Sequence, residues 1–214
     1  VLYPAAVYLE IHLLRNESAC CVGDGHLDHR HGIAAAVRCG LIDRGRDMRS
    51  ERYSIVFSSM TGNTEKLARA IREVLPEENC DYFGAAGEEE LRSELLYIGF
   101  WTDKGNADET TLRLLQKLKN RRMFLFGTAG FGGSAVYDEQ ILNHVKQFVD
   151  GSNAVVGTFM CQGKMPLSVR ERYVKMREQP NRMADLDSRI ENFDRALSHP
   201  NAEDLENLKK NVLQ

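Results

Sequence analysis

The chain has 214 residues, a hydrophobic share of 43% and a formal net charge of −3. That length suits one sizeable α/β domain with additions, and the near-neutral balance gives no electrostatic reason to expect nucleic acid or a membrane surface. No apolar run reaches the roughly 18–20 residues a membrane helix needs. The five cysteines (Cys20, Cys21, Cys39, Cys80, Cys161) are odd in number and scattered. This fits a reducing cytoplasm better than a disulfide framework.

Residues 1–47 differ in composition from the rest of the chain. They hold four of the six histidines and three of the five cysteines, and no lysine occurs before Lys66. The opening VLYPAAVYLEIHLLRNE is weakly apolar, carries Glu10 and His12 and has no basic flank, so it makes a poor signal peptide. We expect residues 1–47 to be foreign to the domain, an over-called start with Met48 as the true first residue, and poorly ordered. The stretch CCVGDGHLDHRH offers ligand types for zinc or nickel at Cys20, Cys21, Asp24, His26, His29 and His31. Its His-x-x-His-x-His spacing matches no closed tetrahedral pattern, and no metal site is assigned.

From Tyr53 strands and helices alternate. YSIVF (53–57) is a short, apolar, β-rich strand. TEKLARAIREVL (64–75) places Leu67, Ala68, Ile71, Val74 and Leu75 on one helical face and stops before Pro76. NCDYFG (79–84) is a weaker strand, EEELRSE is polar and long enough for one helical turn, and LLYIGFW (95–101) is a third strand. A helix over 107–120 turns Leu112, Leu115 and Leu118 inward. RRMFLFG (121–127) is the fourth strand, 138–151 a helix closed by Gly151, and AVVGTFM (154–160) the fifth strand. Helices from about residue 167, including 185–198, form a C-terminal extension of domain 48–214. The alternation predicts a doubly wound five-stranded parallel sheet of order 2-1-3-4-5. Its ligand crevice then lies beyond Phe57, Phe100 and Phe126.

Between the first strand and its helix stands SSMTGNT (58–64). A strand–turn–helix unit gathers free backbone N–H groups at the positive end of a helix dipole, which is where anions bind. Ser58, Ser59, Thr61, Thr64 and Asn63 add side-chain donors, and Gly62 lets the backbone turn and approach closely. The segment is neither a P-loop nor a G-x-G-x-x-G fingerprint, and it holds no cation. A single monophosphate held by neutral donors is the ligand this predicts. A plain helix cap would need only one such residue, and here nearly every position is a donor.

Ser59-Met60-Thr61-Gly62-Asn63-Thr64 resembles the flavodoxin phosphate loop [ST]-x-T-G-x-T, in the right place after the first strand. The resemblance runs from about Tyr53 through Met160. It implies bound FMN, with Ser59, Thr61, Asn63 and Thr64 supplying phosphate donors. It also implies a second flavin loop at Phe100, Trp101 and Thr102, where Trp101, the only tryptophan, covers one face of the ring. A third loop at Gly127, Thr128, Ala129 and Gly130 offers backbone N–H and C=O groups to the flavin pyrimidine. The outer stacking partner is Phe131 or Tyr137, neither of which falls cleanly at the family's position. In CQGK (161–164), Gln162 and Lys164 are placed to face a substrate or partner, and Cys161 reads as a buried, inert thiol.

GFWTDKG, FGT, GTFMCQGK and the charged helical tail resemble a narrower subgroup of flavodoxin-domain proteins. It includes the accessory protein of the bacterial bilirubin reductase system. This implies an electron-transfer flavoprotein serving a dedicated partner reductase in tetrapyrrole reduction. The alternative is an NAD(P)H-dependent FMN reductase acting on a quinone or other small acceptor, for which no nicotinamide motif is evident. From Met48 onward 25 acidic and 23 basic residues leave a charge of −2, weak for a carrier that steers generic basic partners.

Overall fold

The computed structural model describes residues 51–86, 91–180 and 183–214. The N-terminal segment, with its histidine and cysteine cluster and Met48, lies outside the described residues. Described residues fall within the compact unit Arg44–Gln214.

Five parallel strands form the sheet: β1 (Tyr53–Phe57), β2 (Cys80–Ala85), β3 (Leu95–Asp103), β5 (Arg122–Ala129) and β6 (Ala154–Gln162). Their order is β2-β1-β3-β5-β6, which in parallel strands alone is the expected 2-1-3-4-5. A sixth, two-residue strand β4 (Asn106–Ala107) was not expected. It folds back antiparallel on β3, pairing Thr102 with Ala107 and Asp103 with Asn106. The Asp-Lys-Gly-Asn stretch makes this possible: Lys104 (φ 49°) and Gly105 (φ 81°) both sit at positive φ, the geometry of a two-residue hairpin turn.

Side chains alternate between the two faces of the sheet because strand residues do. Ile55, Tyr97 and Phe124 point to one side, with Tyr97 edge-on to Tyr53 at 5.8 Å. That side is covered by α1 (Asn63–Val74) through Leu67, Ala68 and Ile71, and by α6 (Ala202–Val212) through Leu208 and Val212. Val56, Leu96, Ile98 and Leu125 point to the other side. There α2 (Glu109–Lys117) contributes Leu114 and Leu115, and α3 (Ala135–Lys146) contributes Ile141, Leu142 and Val145.

Helix ends differ from the sequence expectation. Asp108 caps α2 by accepting the N–H of Thr111, so the helix starts at Glu109 and not 107. Helix α3 begins three residues early, after Ser134, and ends at Lys146, with Gln147 and Phe148 closing short turns onto His144 and Val145. Of the helical turn expected over 88–94, residues 91–94 carry none.

Between β6 and α6 the chain forms a helical pair, α4 (Leu167–Arg177) and α5 (Leu186–Ala196). It has its own small cluster of Tyr173, Leu186 and Ile190. Arg170 donates through Nε and Nη2 to the two carboxylate oxygens of Asp194, joining the helices at 2.7 and 3.1 Å.

Candidate flavin site

Three turns leave the carboxyl ends of β1, β3 and β5, and the β6–α4 turn joins them. The chain departs from the sheet at Ser58, whose N–H donates to Gly99 O at 2.9 Å. Gly62 then adopts φ 80°, ψ −2°, which swings the backbone into α1. A Cβ at Gly62 would meet nothing within 4 Å, so conformation and not space is what requires glycine there.

The side chains of this turn divide into two sets. Asn63 and Thr64 are buried. Asn63 Nδ2 donates to Lys164 O at 2.9 Å, and Thr64 Oγ1 donates to Phe100 O at 3.2 Å and lies 3.4 Å from Thr128 Oγ1. Their side chains therefore tie the turn to β3, β5 and the β6–α4 turn. The Thr64 hydroxyl is thus spent within the fold and Asn63 gives one of its two amide N–H groups to Lys164 O, so the open donors common to both residues are their backbone N–H groups. Ser59 Oγ accepts the N–H of Glu65 at 3.3 Å. Met60 is 62% exposed and Thr61 half-buried.

Among the described residues the N–H groups of Ser59 through Thr64 have no protein acceptor. Six consecutive donors at the start of a twelve-residue helix, with no cation among them, fit the phosphate of a monoester. The nearest lysine, Lys66, is turned away and donates to Pro200 O at 2.6 Å.

At the end of β3, Phe100 is fully buried within the core on the α2–α3 side. Its ring does not line the crevice; its carbonyl serves, by holding Thr64. Gly127 on β5 is what admits that ring, since a Cβ there would lie 2.6 Å from two Phe100 ring carbons. Alternation along β3 puts Trp101 on the opposite face from Phe100. Trp101 is half-buried, and its carbonyl accepts the N–H of Asp108 at 3.1 Å. Thr102 follows with its hydroxyl oxygen buried and unpartnered among the described residues. By the same alternation Thr102 shares the face of Phe100 and of its cross-strand partner Ala107, so this hydroxyl is buried on the α2–α3 side. The hairpin that carries Trp101 and Thr102 is braced from α3, where His144 Nδ1 lies 3.0 Å from Gly105 O.

Thr128 and Ala129 end β5, both nearly fully buried. Ala129 O accepts from the N–H groups of Gly132 and Gly163, each at 3.1 Å. Gly130 O accepts from Gln162 Nε2 at 3.2 Å and Asn192 Nδ2 at 3.0 Å. Gln162, read from sequence as facing a substrate or partner, is buried and spends its amide on this turn. Lys164 is exposed, but its backbone is committed: its carbonyl to Asn63, its N–H to His199 O at 3.0 Å. Phe131 and Tyr137 both line an open cavity of about 440 Å³ together with Asp185, Ser188, Arg189 and Asn192 of the α5 region. Asn192 had no local signal in the sequence: it lies on a helix 62 residues beyond the carbonyl it holds.

Burial pushes the Cys161 thiol up, reinforced by the carboxylates of Asp204 and Asp138, so it stays protonated and unreactive. Burial likewise raises the carboxyl of Asp138, in the first turn of α3. Among the described residues no group of His, Cys, Asp and Glu is arranged to hold a metal ion, and no helix is long and apolar enough to cross a membrane.

A family model described as a flavodoxin domain matches residues 54–213. The chain is 39% identical over 171 residues to the flavodoxin-like domain-containing protein BilS of Clostridium symbiosum (strain WAL-14163), covering 72% of this chain and 90% of that protein. It is 26% identical over 159 residues to the protein of the same name from Clostridioides difficile (strain CD3), covering 71% and 88%. Among solved structures it is similar to a flavoprotein in complex with FMN from Lactobacillus acidophilus NCFM, with 14% identity, a TM-score of 0.41, and coverage of 52% of this chain and 94% of that one. With the sheet order, the turn at Ser59–Thr64 and a family match over most of its length, the chain belongs to the flavodoxin domain family.

Proposed function

We propose that this protein binds FMN at the turns after β1, β3 and β5 and carries electrons to a dedicated partner reductase, in tetrapyrrole (bilirubin) reduction. The observation that carries the flavin assignment is the run of open N–H groups from Ser59 to Thr64 at the start of α1. Residues Ser59, Met60, Thr61, Gly62, Asn63 and Thr64 receive the phosphate through backbone N–H, with the Thr61 hydroxyl beside them. Trp101 covers one face of the ring system, Phe100 and Thr102 flank it in β3 and set its position, and the turn Gly127–Gly130 borders the pyrimidine. When bound, FMN supplies one- and two-electron transfer at its isoalloxazine ring. The chain's part is to hold and orient that ring: Thr64 locks the phosphate turn to β3, and the β3–β4 hairpin keeps water from one face.

The tetrapyrrole assignment rests on the likeness to the BilS proteins and on the GFWTDKG and GTFMCQGK stretches. A partner-dependent carrier agrees with the balanced charge, which provides little long-range steering of generic partners. Free Cys80 and Cys161 agree with a reducing cytoplasm as its setting.

The test is an absorbance titration of the purified protein with FMN, followed by dithionite and, separately, NAD(P)H. Saturable flavin bands that bleach with dithionite and not with NAD(P)H are expected. A colourless protein that ignores FMN overturns the assignment, and rapid bleaching by NAD(P)H alone makes the chain a reductase in its own right.

A further inference from the structure

Helix α1 begins on Gly62, an N-cap with no side chain to close the first turn. The N–H groups proposed to face the phosphate stay open for that reason, and the helix start forgoes about 1 kcal/mol of local stabilisation. What fixes it comes from other elements. Thr64 Oγ1 donates to Phe100 O, Asn63 Nδ2 to Lys164 O at 2.9 Å, and Lys66 Nζ to Pro200 O at 2.6 Å. The last two ties lead to one place in the chain. Lys164 N–H donates to His199 O at 3.0 Å, and Pro200 is the next residue. From the other side, Gly163 lets the β6–α4 turn close on Asn63: a Cβ there would lie 2.6 Å from Asn63 Nδ2.

The segment that opens α6 is itself held from both ends. His199 N–H donates to Ala196 O at 3.0 Å, which joins it to the end of α5. His199 Nδ1 lies 2.6 Å from Asp204 Oδ2, and the same oxygen accepts the N–H of Asn201 at 2.7 Å. Asn201 Oδ1 in turn accepts the N–H of Asp204 at 3.0 Å, completing a capping box. One carboxylate thus fixes the residues on both sides of Pro200, which is buried. Further along, α6 meets α1 again through Leu208 and Val212, and through Lys209 Nζ on Glu73 Oε2 at 2.7 Å.

We propose, on the flavin site put forward above, that His199 and Asp204 are positioning residues for the phosphate turn: they hold the His199 and Pro200 carbonyls against Lys164 and Lys66, and so aim the N–H groups of Ser59 to Thr64 at the flavin phosphate. Neither side chain touches the cofactor. Hydrogen bonds weaken steeply off their line, so donors on a helix start that is free to tilt lose an anion before they lose their fold. The effect is selective. The ring is held by the β3–β4 hairpin and the turn after β5, which this strap does not brace. Preference for FMN over riboflavin, the same ring without the phosphate, is therefore set in part by the start of the last helix, 134 residues beyond Lys66.

The experiment measures dissociation constants for FMN and for riboflavin, by flavin fluorescence, in the full chain, Asp204→Ala and His199→Phe. The first variant removes the carboxylate that fixes the strap, and the second keeps an aromatic ring without its nitrogens. In either, the FMN constant is expected to rise about tenfold, the weight of one or two hydrogen bonds at the phosphate, with riboflavin changed by less than about twofold. Sign separates positioning from charge: removing the Asp204 carboxylate would by Coulomb's law alone tighten an anion, and the expected change is the opposite. Should one variant fail to fold, the other decides. A preference for FMN over riboflavin unchanged within about twofold in a folded variant, even with a lower melting temperature, reduces the strap to packing and overturns the inference while leaving FMN binding intact. An unmodified chain that ignores FMN, or takes riboflavin as tightly, removes the phosphate reading of the turn itself, and this inference goes with it.

Discussion

The turns after β1 and β5 lie at the same end of the sheet and are built on opposite plans. In the first, the recognition groups are contiguous: six N–H donors between a strand and a helix, opened by one glycine at φ 80°. In the second, the same kind of backbone is edited from afar, with Gln162 and Asn192 removing the Gly130 carbonyl from play. A turn of the first plan depends on its own residues. A turn of the second plan depends on a helix that arrives 62 residues later. The first is suited to an invariant anion such as a phosphate. The second can be adjusted by changes on α5 without touching the turn.

Substitutions can break or sharpen this contrast. The largest effect is expected from Thr64→Val, which keeps volume and removes the hydroxyl that donates to the buried Phe100 carbonyl. The buried Thr128 hydroxyl, 3.4 Å from that of Thr64, loses its partner as well, and an unpaired buried polar group costs about 1–3 kcal/mol. Urea unfolding of the cofactor-free protein should show it, and FMN affinity should fall as well. Unchanged stability would mean that the β1 turn is not anchored by Thr64.

Gly62→Ala comes next, paired with Gly133→Ala (φ 87°) as its counterpart in the β5 turn. Each places a side chain at positive φ for about 1–2 kcal/mol, and neither Cβ meets an atom closer than 3.7 Å. Similar losses in urea midpoint are expected, but FMN affinity should fall further for Gly62→Ala, whose turn is the one proposed to hold the phosphate. Equal affinity losses would erase the distinction between the turns.

The smallest effect concerns the hairpin between them. Trp101→Ala should weaken FMN binding by the stacking contribution, about 0.5–1.5 kcal/mol or up to roughly tenfold, and Trp101→Phe by less. Fluorescence of this single tryptophan should be quenched on FMN binding in the unmodified protein. No quenching would remove Trp101 from the site.

Much of the architecture was readable along the chain because periodicity carries it. The alternation of Ile55 and Val56, and of Tyr97 and Ile98, reports a strand with two covered faces, and five strand segments, most of them separated by helices, leave one natural order. The β4 strand was missed because two residues are too few to show a period. Only the positive φ values of Lys104 and Gly105 explain it, and Lys is not a residue that announces such a turn. Phe100 illustrates the limit for the site. The strand was expected to end at Trp101 and runs on to Asp103, which leaves Phe100 inside it, and the room for its ring comes from the missing Cβ of Gly127 on the neighbouring strand.

By itself, then, the sequence determined the parallel sheet, its order and the phosphate-type turn, because hydrophobic period and the strand–glycine–helix succession act over a few residues. Only the tertiary structure decided which donors and acceptors of the turns stay open. That Asn63 and Thr64 face inward depends on Lys164, Phe100 and Thr128, and that Gly130 offers no carbonyl depends on Gln162 and Asn192. A buried polar group must find a partner wherever the fold brings one, and chain separation places no limit on where that is.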